Sequence, residues 1–390
     1  MKKTNKQEGN NILKSELIAK YFGFIKTQPE EVTKEDEKVT SAISRQKNYI
    51  SENLPSISEM YALLRRYKDD KEKEMVEPDV IYYEGSASGK HPKHRKKSGE
   101  ELINLQIINV NGSIAEAVII QTIKTILAEH GIKNIIVKLN DIGDRDCLNA
   151  YYREATNYYR KNINELNNHC RQLFKEGVHE LVTRGKNQCT TIHENAPKPM
   201  DFLDEESRKR FSEVLEFLET LDIQYEVDHS ILGDPNYSTH TVFEVMDKET
   251  ERIFSSGGRY DSLARKSGLR KDIPSVGALL NLPNPQVVSS KIIKKFDKAN
   301  FFFLQIGYMA KLKSLLVIEE FRNKNIPVIH KLYRDRLSSQ ISSAKKSSSE
   351  HFIIMGQKEA LADELIVRDR ESKSQKIVKF KDLFEYIKSL

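Results

Sequence analysis

Residues 236–267 constrain the fold of this chain more strongly than any other stretch of its sequence. Between residues 239 and 246, β-branched and aromatic residues alternate with polar ones at period two, which predicts a half-buried β-strand. A polar turn over residues 247–251 leads into a second strand, so the pattern predicts an antiparallel hairpin. Gly257 and Gly258 then predict a sharp turn or a close approach of the backbone to a ligand, because glycine has no Cβ. A helix is expected directly after them.

Two motifs in this stretch resemble those of the histidyl-tRNA synthetase family. TVFEV, at residues 241–245, is similar to the end of the family's first histidine-specific motif, and SGGRYDSL, at residues 256–263, is similar to the second. A Gly-Gly pair alone is a weak signal, but a TVFE strand, a short hairpin and GGRYD-x-L in this order are specific. The resemblance implies an α+β fold of the class II aminoacyl-tRNA synthetase type. Helices would flank an antiparallel sheet, with a helical insertion and a C-terminal α/β anticodon-binding-like domain.

Length and composition narrow the class of protein. The chain has 390 residues, which predicts two or three domains, and its 38% hydrophobic and 31% charged residues are typical of soluble globular proteins. No apolar run reaches the length of a membrane span, and no apolar segment follows the first lysines, so we expect neither membrane association nor a signal peptide. Three cysteines are too few for a disulfide framework and predict a cytoplasmic location. The net charge of +6 permits contact with a polyanion.

The pattern of helices and strands, taken with the resemblance, divides the chain into four parts. Residues 1–143 and 227–288 are predicted to form the two halves of the class II core. Helical periodicity predicts an insertion over residues 144–226, and alternating strands and helices predict an α/β domain over residues 299–390. A helix and a strand ending at Pro29 resemble the family's dimer-forming motif, so the resemblance implies a homodimer.

Activation of histidine by ATP builds negative charge at the α-phosphate, which fixed cations stabilise best. The resemblance implies arginines at three positions, and this sequence has none of them. Residues 86–89, at the end of the motif 2 strand, read Ser-Ala-Ser-Gly, and Gly233 takes the arginine's place before TVFE. Pro283 and Asn284 stand where motif 3 has its acid and arginine. Asp234 adds a negative charge beside Gly233, so the sequence predicts that histidyl-adenylate is not formed.

Positive charge is concentrated instead in the loop after the motif 2 strand. This loop carries Lys90, Lys93, Arg95, Lys96 and Lys97. These side chains could grip a triphosphate or the acceptor stem of tRNA, which makes tRNA a candidate partner. Alternatively, the loop is an ordinary solvated run of charge, and both interpretations stay open.

Part of the family's histidine pocket is retained in the sequence. The candidate residues of this pocket remnant are Tyr237, Thr241, Glu244, Gly257, Gly258, Arg259 and Tyr260. In the resembled family, the Gly-Gly-Arg-Tyr-Asp turn lines the histidine pocket. Alternatively, Arg259 and Asp261 hold the junction between strand and helix together, and we favour this structural interpretation. The alternative hypothesis, which makes a more specific claim about function, is that these residues line a vestigial small-molecule pocket.

A metal site is not predicted. Cys170, Cys189 and His193 include an acceptable zinc-ligand spacing, Cys-x3-His, but no paired Cys-x-x-Cys accompanies it. No cofactor is expected either, and ATP and Mg²⁺ are expected only if the chain is an active ligase.

Two functional hypotheses follow from the retained and the missing residues. In the first, the chain is a histidyl-tRNA synthetase-like protein without histidine-activating activity, which acts as a tRNA-binding or regulatory paralogue. The regulatory subunit of ATP phosphoribosyltransferase is a precedent, but it resembles the catalytic core only, whereas this chain keeps the C-terminal domain. In the second, the chain is an active histidine–tRNA ligase that makes histidyl-tRNA from ATP, histidine and tRNA with relocated phosphate-binding residues.

Overall fold

The computed structural model describes residues 11–43, 54–65, 79–84, 99–296, 298–334 and 336–390. Of the helix and strand expected up to Pro29, the helix is present, whereas the strand is reduced to two residues. The first half of the core contains, in chain order, β1 (Asn11–Leu13), α1 (Lys14–Tyr21), β2 (Ile25–Lys26), α2 (Lys34–Ile43), α3 (Ile57–Arg65), β3 (Asp79–Glu84), β4 (Glu100–Ile108), α4 (Ile114–Glu129) and β5 (Ile135–Asp141).

The next segment is helical, as its periodicity predicts. It contains α5 (Arg145–Lys161), α6 (Asn168–Glu176), α7 (Val178–Gly185), α8 (Thr190–Glu194), a 3-10 turn (Pro199–Phe202) and α9 (Glu205–Thr220). Asp204 caps α9, because its carboxylate accepts a hydrogen bond from Ser207 N at 2.7 Å. Helices α5 to α8 share a second apolar cluster, which also includes Leu232 and Val242 of the core. The apolar side of α9 instead packs on the core, through Phe211, Val214 and Phe217. The end of the insertion at residue 226 stays a prediction.

The second half of the core contains the predicted hairpin. Its elements are β6 (Tyr225–Val227), β7 (Thr239–Asp247), β8 (Ile253–Arg259), α10 (Leu263–Lys266), β9 (Ser275–Pro283), β10 (Val287–Ser289) and α11 (Lys291–Phe296). The expectation of a sharp turn at Gly257 and Gly258 is wrong, because both residues lie inside β8 and pair with its two neighbouring strands.

An eight-stranded sheet joins the two halves in the order β2-β3-β4-β9-β8-β7-β5-β6. Its pairs are antiparallel except β2–β3 and β5–β6, which are parallel. Alternate residues of the central strands pack with α1, α4 and α9 in one apolar core. The predicted class II architecture, an antiparallel sheet flanked by helices, is confirmed.

A second sheet forms the C-terminal domain, as the alternation of strands and helices predicts. Its order is β12-β11-β13-β14-β15, with β11 parallel to both β12 and β13. The elements are β11 (Phe301–Gln305), α12 (Tyr308–Asn323), β12 (Val328–His330), α13 (Leu337–Lys346), β13 (His351–Met355), α14 (Gln357–Ala362), β14 (Glu364–Asp369), β15 (Gln375–Lys379), a 3-10 turn (Phe380–Asp382) and α15 (Leu383–Ile387). β15 lacks the apolar alternation of a half-buried strand and was not predicted, since Val378 is its one buried residue.

The C-terminal domain docks on the core at α1. His330, at the end of β12, is buried and donates through Nε2 to the Tyr21 carbonyl at 2.8 Å. Gly23 provides the space, because a Cβ there would stand 2.9 Å from the His330 ring. An ion pair between Arg322 and Glu129, at 3.0 Å, adds a second contact between the domains. In the part of the chain that the structure describes, no helix has the length and apolar character needed to span a membrane.

Candidate functional site

Polar side chains lie along β4 on the sheet face opposite α4. Asn104 and Gln106 are fully buried there, between the apolar residues of the strand. The Gln106 amide donates to Asn104 Oδ1 at 2.6 Å, and the Asn104 amide donates to the Tyr83 hydroxyl at 2.8 Å. The hydroxyl of Tyr260 donates in turn to Gln106 Oε1. Because buried polar groups joined in a network have fixed orientations, these side chains form a rigid polar floor.

Glycines allow the strands around this floor to pack closely. A Cβ at Gly277 of β9 would overlap Gln106 Oε1, so the glutamine side chain occupies the space that a larger residue would fill. Gly258 pairs with Gly277, and a Cβ there would stand 2.8 Å from the carbonyl of Thr241. A Cβ at Gly257 would stand 2.5 Å from the Gly277 carbonyl. Protein atoms therefore fill the space beside the Gly-Gly pair.

Arg259 faces away from the polar floor and is completely buried, with 0% of its side chain exposed. Its guanidinium contacts Glu116 of α4 at 3.0 Å and Asp261 at 3.2 Å. It also donates to the Val110 carbonyl at 2.7 Å. This geometry favours the structural interpretation, because Arg259 joins β8 to α4 and to the segment that leads into α10.

The other candidate pocket residues are divided between the two sheet faces. Tyr237 packs with Tyr260 in a buried cluster that includes α3. Thr241 faces α4 and donates to Asp141 at 3.3 Å, where burial raises the pKa of the aspartate to about 7. Glu244 lies on the polar face in the same cross-strand row as Asn104, and burial raises its pKa. The structure thus brings together only part of the predicted set.

The loop before β7 holds Gly233, at the position where the resembled family has an arginine. Gly233 adopts a left-handed φ of +62°. A Cβ at this position would stand 2.5 Å from Ser238 Oγ and 2.8 Å from Val242 Cγ1. Its carbonyl accepts a hydrogen bond at 3.1 Å from Nε2 of His179, on α7. A long side chain therefore does not fit here unless the loop moves.

Asp234 is held inside the same loop. Its carboxylate accepts hydrogen bonds from the backbone and side-chain N–H groups of Asn236, at 2.8 and 2.9 Å. Burial raises the pKa of Asp234, which disfavours its charged form. Lys266 of α10 donates to the Asn236 carbonyl, so a cation lies beside this turn.

The end of β9 lies far from the Gly233 loop. Asn284 donates its backbone N–H to the Gly99 carbonyl at 2.9 Å and has a φ of +51°. Glu100 is paired there with Arg252 at 3.5 Å. Gly233 lies beside Val242, which is in the same cross-strand row as Gln106 of β4. Glu100, beside the end of β9, lies six residues before Gln106 on β4. At about 3.3 Å per residue, the Gly233 loop and Asn284 are therefore separated by about 20 Å along the strand direction.

The remaining sequence candidates divide into two groups. Lys90, Lys93, Arg95, Lys96 and Lys97 lie outside the described residues. Cys170 and Cys189 come together with their Sγ atoms 2.7 Å apart, whereas His193 Nδ1 bonds to the Tyr159 hydroxyl at 2.7 Å. Among the residues placed by the structure, no group of three or more His, Cys, Asp or Glu side chains could hold a metal ion.

The polar floor is the feature that the sequence analysis missed. A signal for it exists in LINLQII, where Asn104 and Gln106 alternate with apolar residues in a strand that is otherwise core. Tyr83 and Glu59 join the network from distant segments, with Glu59 accepting from Asn104 at 3.3 Å. Such contacts depend on strand register and have no local sequence signal.

Comparison with protein families assigns these elements to one family. Residues 64–283, more than half of the chain, match the model described as "Histidyl-tRNA synthetase". The chain belongs to the histidyl-tRNA synthetase family. Residues 309–390 match a second model, described as "Anticodon binding domain", which covers the C-terminal domain from α12 onward but not β11.

Individual relatives are similar over most of their length. The chain is 23% identical to a histidine–tRNA ligase of Vesicomyosocius okutanii over 79% of this chain and 75% of the relative. It is 26% identical to that of Elusimicrobium minutum, over 83% and 78% respectively. The crystal structure of apo S. aureus histidyl-tRNA synthetase is similar with a TM-score of 0.49 and 16% identity, covering 95% of this chain and 93% of that one.

Proposed function

We propose that this member of the histidyl-tRNA synthetase family binds tRNA but does not activate histidine. The observation that supports this most strongly is the backbone at Gly233. A left-handed φ of +62°, together with contacts of 2.5 and 2.8 Å to a hypothetical Cβ, leaves no space for the arginine expected at this position. The loop is also tied to α7 through His179. The missing cation is therefore a property of the whole loop and not of one substituted side chain.

The environment of Asn284 supports the same proposal. Its neighbour Glu100 brings a carboxylate to the end of β9, and Arg252 is engaged with that carboxylate. Removal of one donor that stabilises transition-state charge costs roughly 10²–10³ in rate. The loss of several donors is not simply additive, but it places ordinary rates of adenylation out of reach.

The test is histidine-dependent exchange of labelled pyrophosphate into ATP by the full chain. The histidine–tRNA ligase of Elusimicrobium minutum serves as the positive control. We expect exchange at least about 10³-fold slower than in this control. Exchange at a comparable rate would overturn the proposal and support the alternative, an active histidine–tRNA ligase that uses ATP and Mg²⁺.

Two variants locate the replacement cations if exchange is observed. Lys266→Gln removes a described cation beside the Gly233 loop that is hydrogen-bonded to the Asn236 carbonyl. The combined replacement of Lys93, Arg95, Lys96 and Lys97 by glutamine removes the charge of the basic loop. A large loss of exchange in one variant alone assigns the relocated function to that place.

We place the tRNA contact on one face of the C-terminal sheet. The pairing of β13 with β14 puts Phe352 beside Arg368, and Ile354 beside Ile366. These residues lie on the sheet face opposite the apolar core that contains α12. All four residues are partly exposed, and Ile377, the next residue across the sheet, is 59% exposed. Ala344 of α13 covers one part of this face, and the part around Ile377 is open. An aromatic ring and an arginine beside an exposed sheet edge suit the stacking of single-stranded bases.

Binding of tRNA is measured at several salt concentrations. Affinity should fall steeply with salt, and Arg368→Gln should weaken it and lower the slope of log K against log salt by about one. Lys324→Gln, on the helix α12 side of the domain, is the matched control and should leave binding unchanged. Equal binding by the wild-type chain and Arg368→Gln would remove this face from the proposal.

We further propose a homodimer formed around β2. In the sheet formed by the described residues, this strand is one of the two edge strands, and Ile25 on it is 59% exposed. Ile25→Lys should therefore shift the chain towards monomer in light scattering, whereas Val287→Lys, at a position 62% exposed on β10, should not. A wild-type chain that stays monomeric at all concentrations would contradict the dimer.

A further inference from the structure

Two of the three cysteines meet inside the helical insertion. The Sγ atoms of Cys170, on α6, and Cys189, just before α8, are 2.7 Å apart, and both are free thiols. A disulfide bond is about 2.05 Å long, so a movement of roughly 0.7 Å would join them. Two thiolates on one tetrahedral zinc would stand about 3.7 Å apart, as Zn–S bonds of about 2.3 Å require. Among the described residues no third ligand completes a metal site with this pair, and His193 Nδ1 is bonded to the Tyr159 hydroxyl, so the contact fits a thiol pair better than a metal site.

The two thiols differ in their exposure to solvent. Cys170 is fully buried, whereas Cys189 is partly exposed and can be reached by a reagent in solution. Burial raises the pKa of Cys170 to about 12, so this thiol is a poor first nucleophile. Tyr159 packs against the ring of His193 beside the pair and fixes that wall of the site.

The segment between the two cysteines carries contacts from the insertion to the Gly233 loop. His179 donates to the Gly233 carbonyl at 3.1 Å. Lys186 forms an ion pair with Asp228, at the start of the same loop, at 3.0 Å. A covalent link between residues 170 and 189 would close a ring around both contacts.

We propose that Cys170 and Cys189 are a reversible thiol–disulfide pair, and that its oxidation fixes α7 against the loop of residues 228–236. The oxidant is a small disulfide such as oxidised glutathione. The Cys189 thiolate attacks one sulfur of the small disulfide and releases one glutathione thiolate, which leaves glutathione bound to Cys189. Cys170 then attacks Cys189 Sγ, and the second glutathione leaves with the proton of Cys170. Two protein thiols are oxidised and one small disulfide is reduced to two thiols, so atoms and electrons balance.

The first test counts thiols in the full chain. After equilibration with oxidised glutathione, the titratable thiols should fall from three to one, and Cys147 should be the residue that remains free to react. Tryptic peptides that contain Cys170 and Cys189 should be linked, because Arg171, Lys175, Arg184 and Lys186 otherwise separate them. Three remaining thiols, or glutathione held on Cys189 without the link, would overturn the proposal.

Matched variants control for folding. Cys189→Ser changes the partly exposed partner and should abolish the link, while Cys147→Ser, on α5, should leave it intact. Loss of the link in Cys147→Ser would also overturn the assignment. Neither variant touches the residues proposed for tRNA binding, so the result is independent of the proposed function.

The second test reads the effect on the Gly233 loop by amide hydrogen exchange. Oxidation of the wild-type chain should slow exchange over residues 228–236 by on the order of tenfold or more, because a crosslink restricts the opening of the ring it closes. Cys189→Ser treated in the same way should show no change. A crosslinked chain whose loop exchanges at the reduced rate would refute the fixing of α7 and reduce the pair to a local modification.

Discussion

Arg259 allows a sharp test of whether the GGRYD motif serves structure in this chain. Its guanidinium and the Glu116 carboxylate are both 0% exposed and lie 3.0 Å apart. Asp261 and the Val110 carbonyl complete its contacts at 3.2 and 2.7 Å. Arg259→Met keeps most of the side-chain volume and removes the charge, so Glu116 is left buried without its cation.

Arg259→Met should lower the stability of the fold because Glu116, the partner of Arg259, is buried. Breaking a buried ion pair by removing one member costs about 3–5 kcal/mol, because the other charge stays desolvated and unpaired. For domains of this size the unfolding temperature should fall by roughly 6–20 °C. Arg252→Met is the matched control: Arg252 is 46% exposed and pairs with Glu100 at 3.5 Å, so its loss should cost less than about 1 kcal/mol.

The measurement is thermal unfolding followed by circular dichroism. Addition of Glu116→Gln to Arg259→Met should restore part of the lost stability, because the buried group is then uncharged. If Arg259→Met unfolds at the same temperature as Arg252→Met, the structural interpretation of the motif is wrong. A pocket role for Arg259 would then be the better hypothesis, and histidine binding would be the next measurement.

Two further predictions concern packing and pH. Gly277→Ala should destabilise the core by about 1–3 kcal/mol in denaturant unfolding, because its methyl group would meet Gln106 Oε1; Gly112→Ala, where the nearest atom is 3.8 Å away, should have little effect, and equal losses would contradict the packing argument. Burial lowers the pKa of His330 from 6.5 to about 4, so the unfolded chain binds more protons between these values and stability is lost as the pH falls through this window. The titration of His330 then lowers the free energy of unfolding at pH 4 by roughly 3 kcal/mol relative to pH 7. His330→Gln should unfold with a shallower pH dependence over this range, and an unchanged slope would contradict the prediction.

Local patterns were sufficient to predict most elements of the fold. The period-two alternation before Asp247 predicts β7, and the long apolar stripe of α4 is visible as residues 114–129. The order of TVFE and GGRYD points to the family, because such motifs are contiguous in the chain. The absence of arginine at Gly233 and Asn284 is likewise a property of the sequence alone.

Tertiary structure decided which of these residues meet. Gln106 and Tyr83 lie on one face because of the register of β3 and β4, and the pairing of β4 with β9 and of β9 with β8 brings Tyr260, which directly follows β8, to the same face. A shift by one residue would turn each strand's side chains to the other face. The same register sends Arg259 into the core, although it is adjacent to Tyr260 in sequence. The left-handed backbone of Gly233 depends on its packing against Ser238, Val242 and the insertion. The sequence by itself therefore determined the helices and strands and the absence of the expected arginines. The polar floor, the conformation of the Gly233 loop and the cysteine pair depend on contacts between distant segments, and such contacts leave no periodic pattern in the sequence.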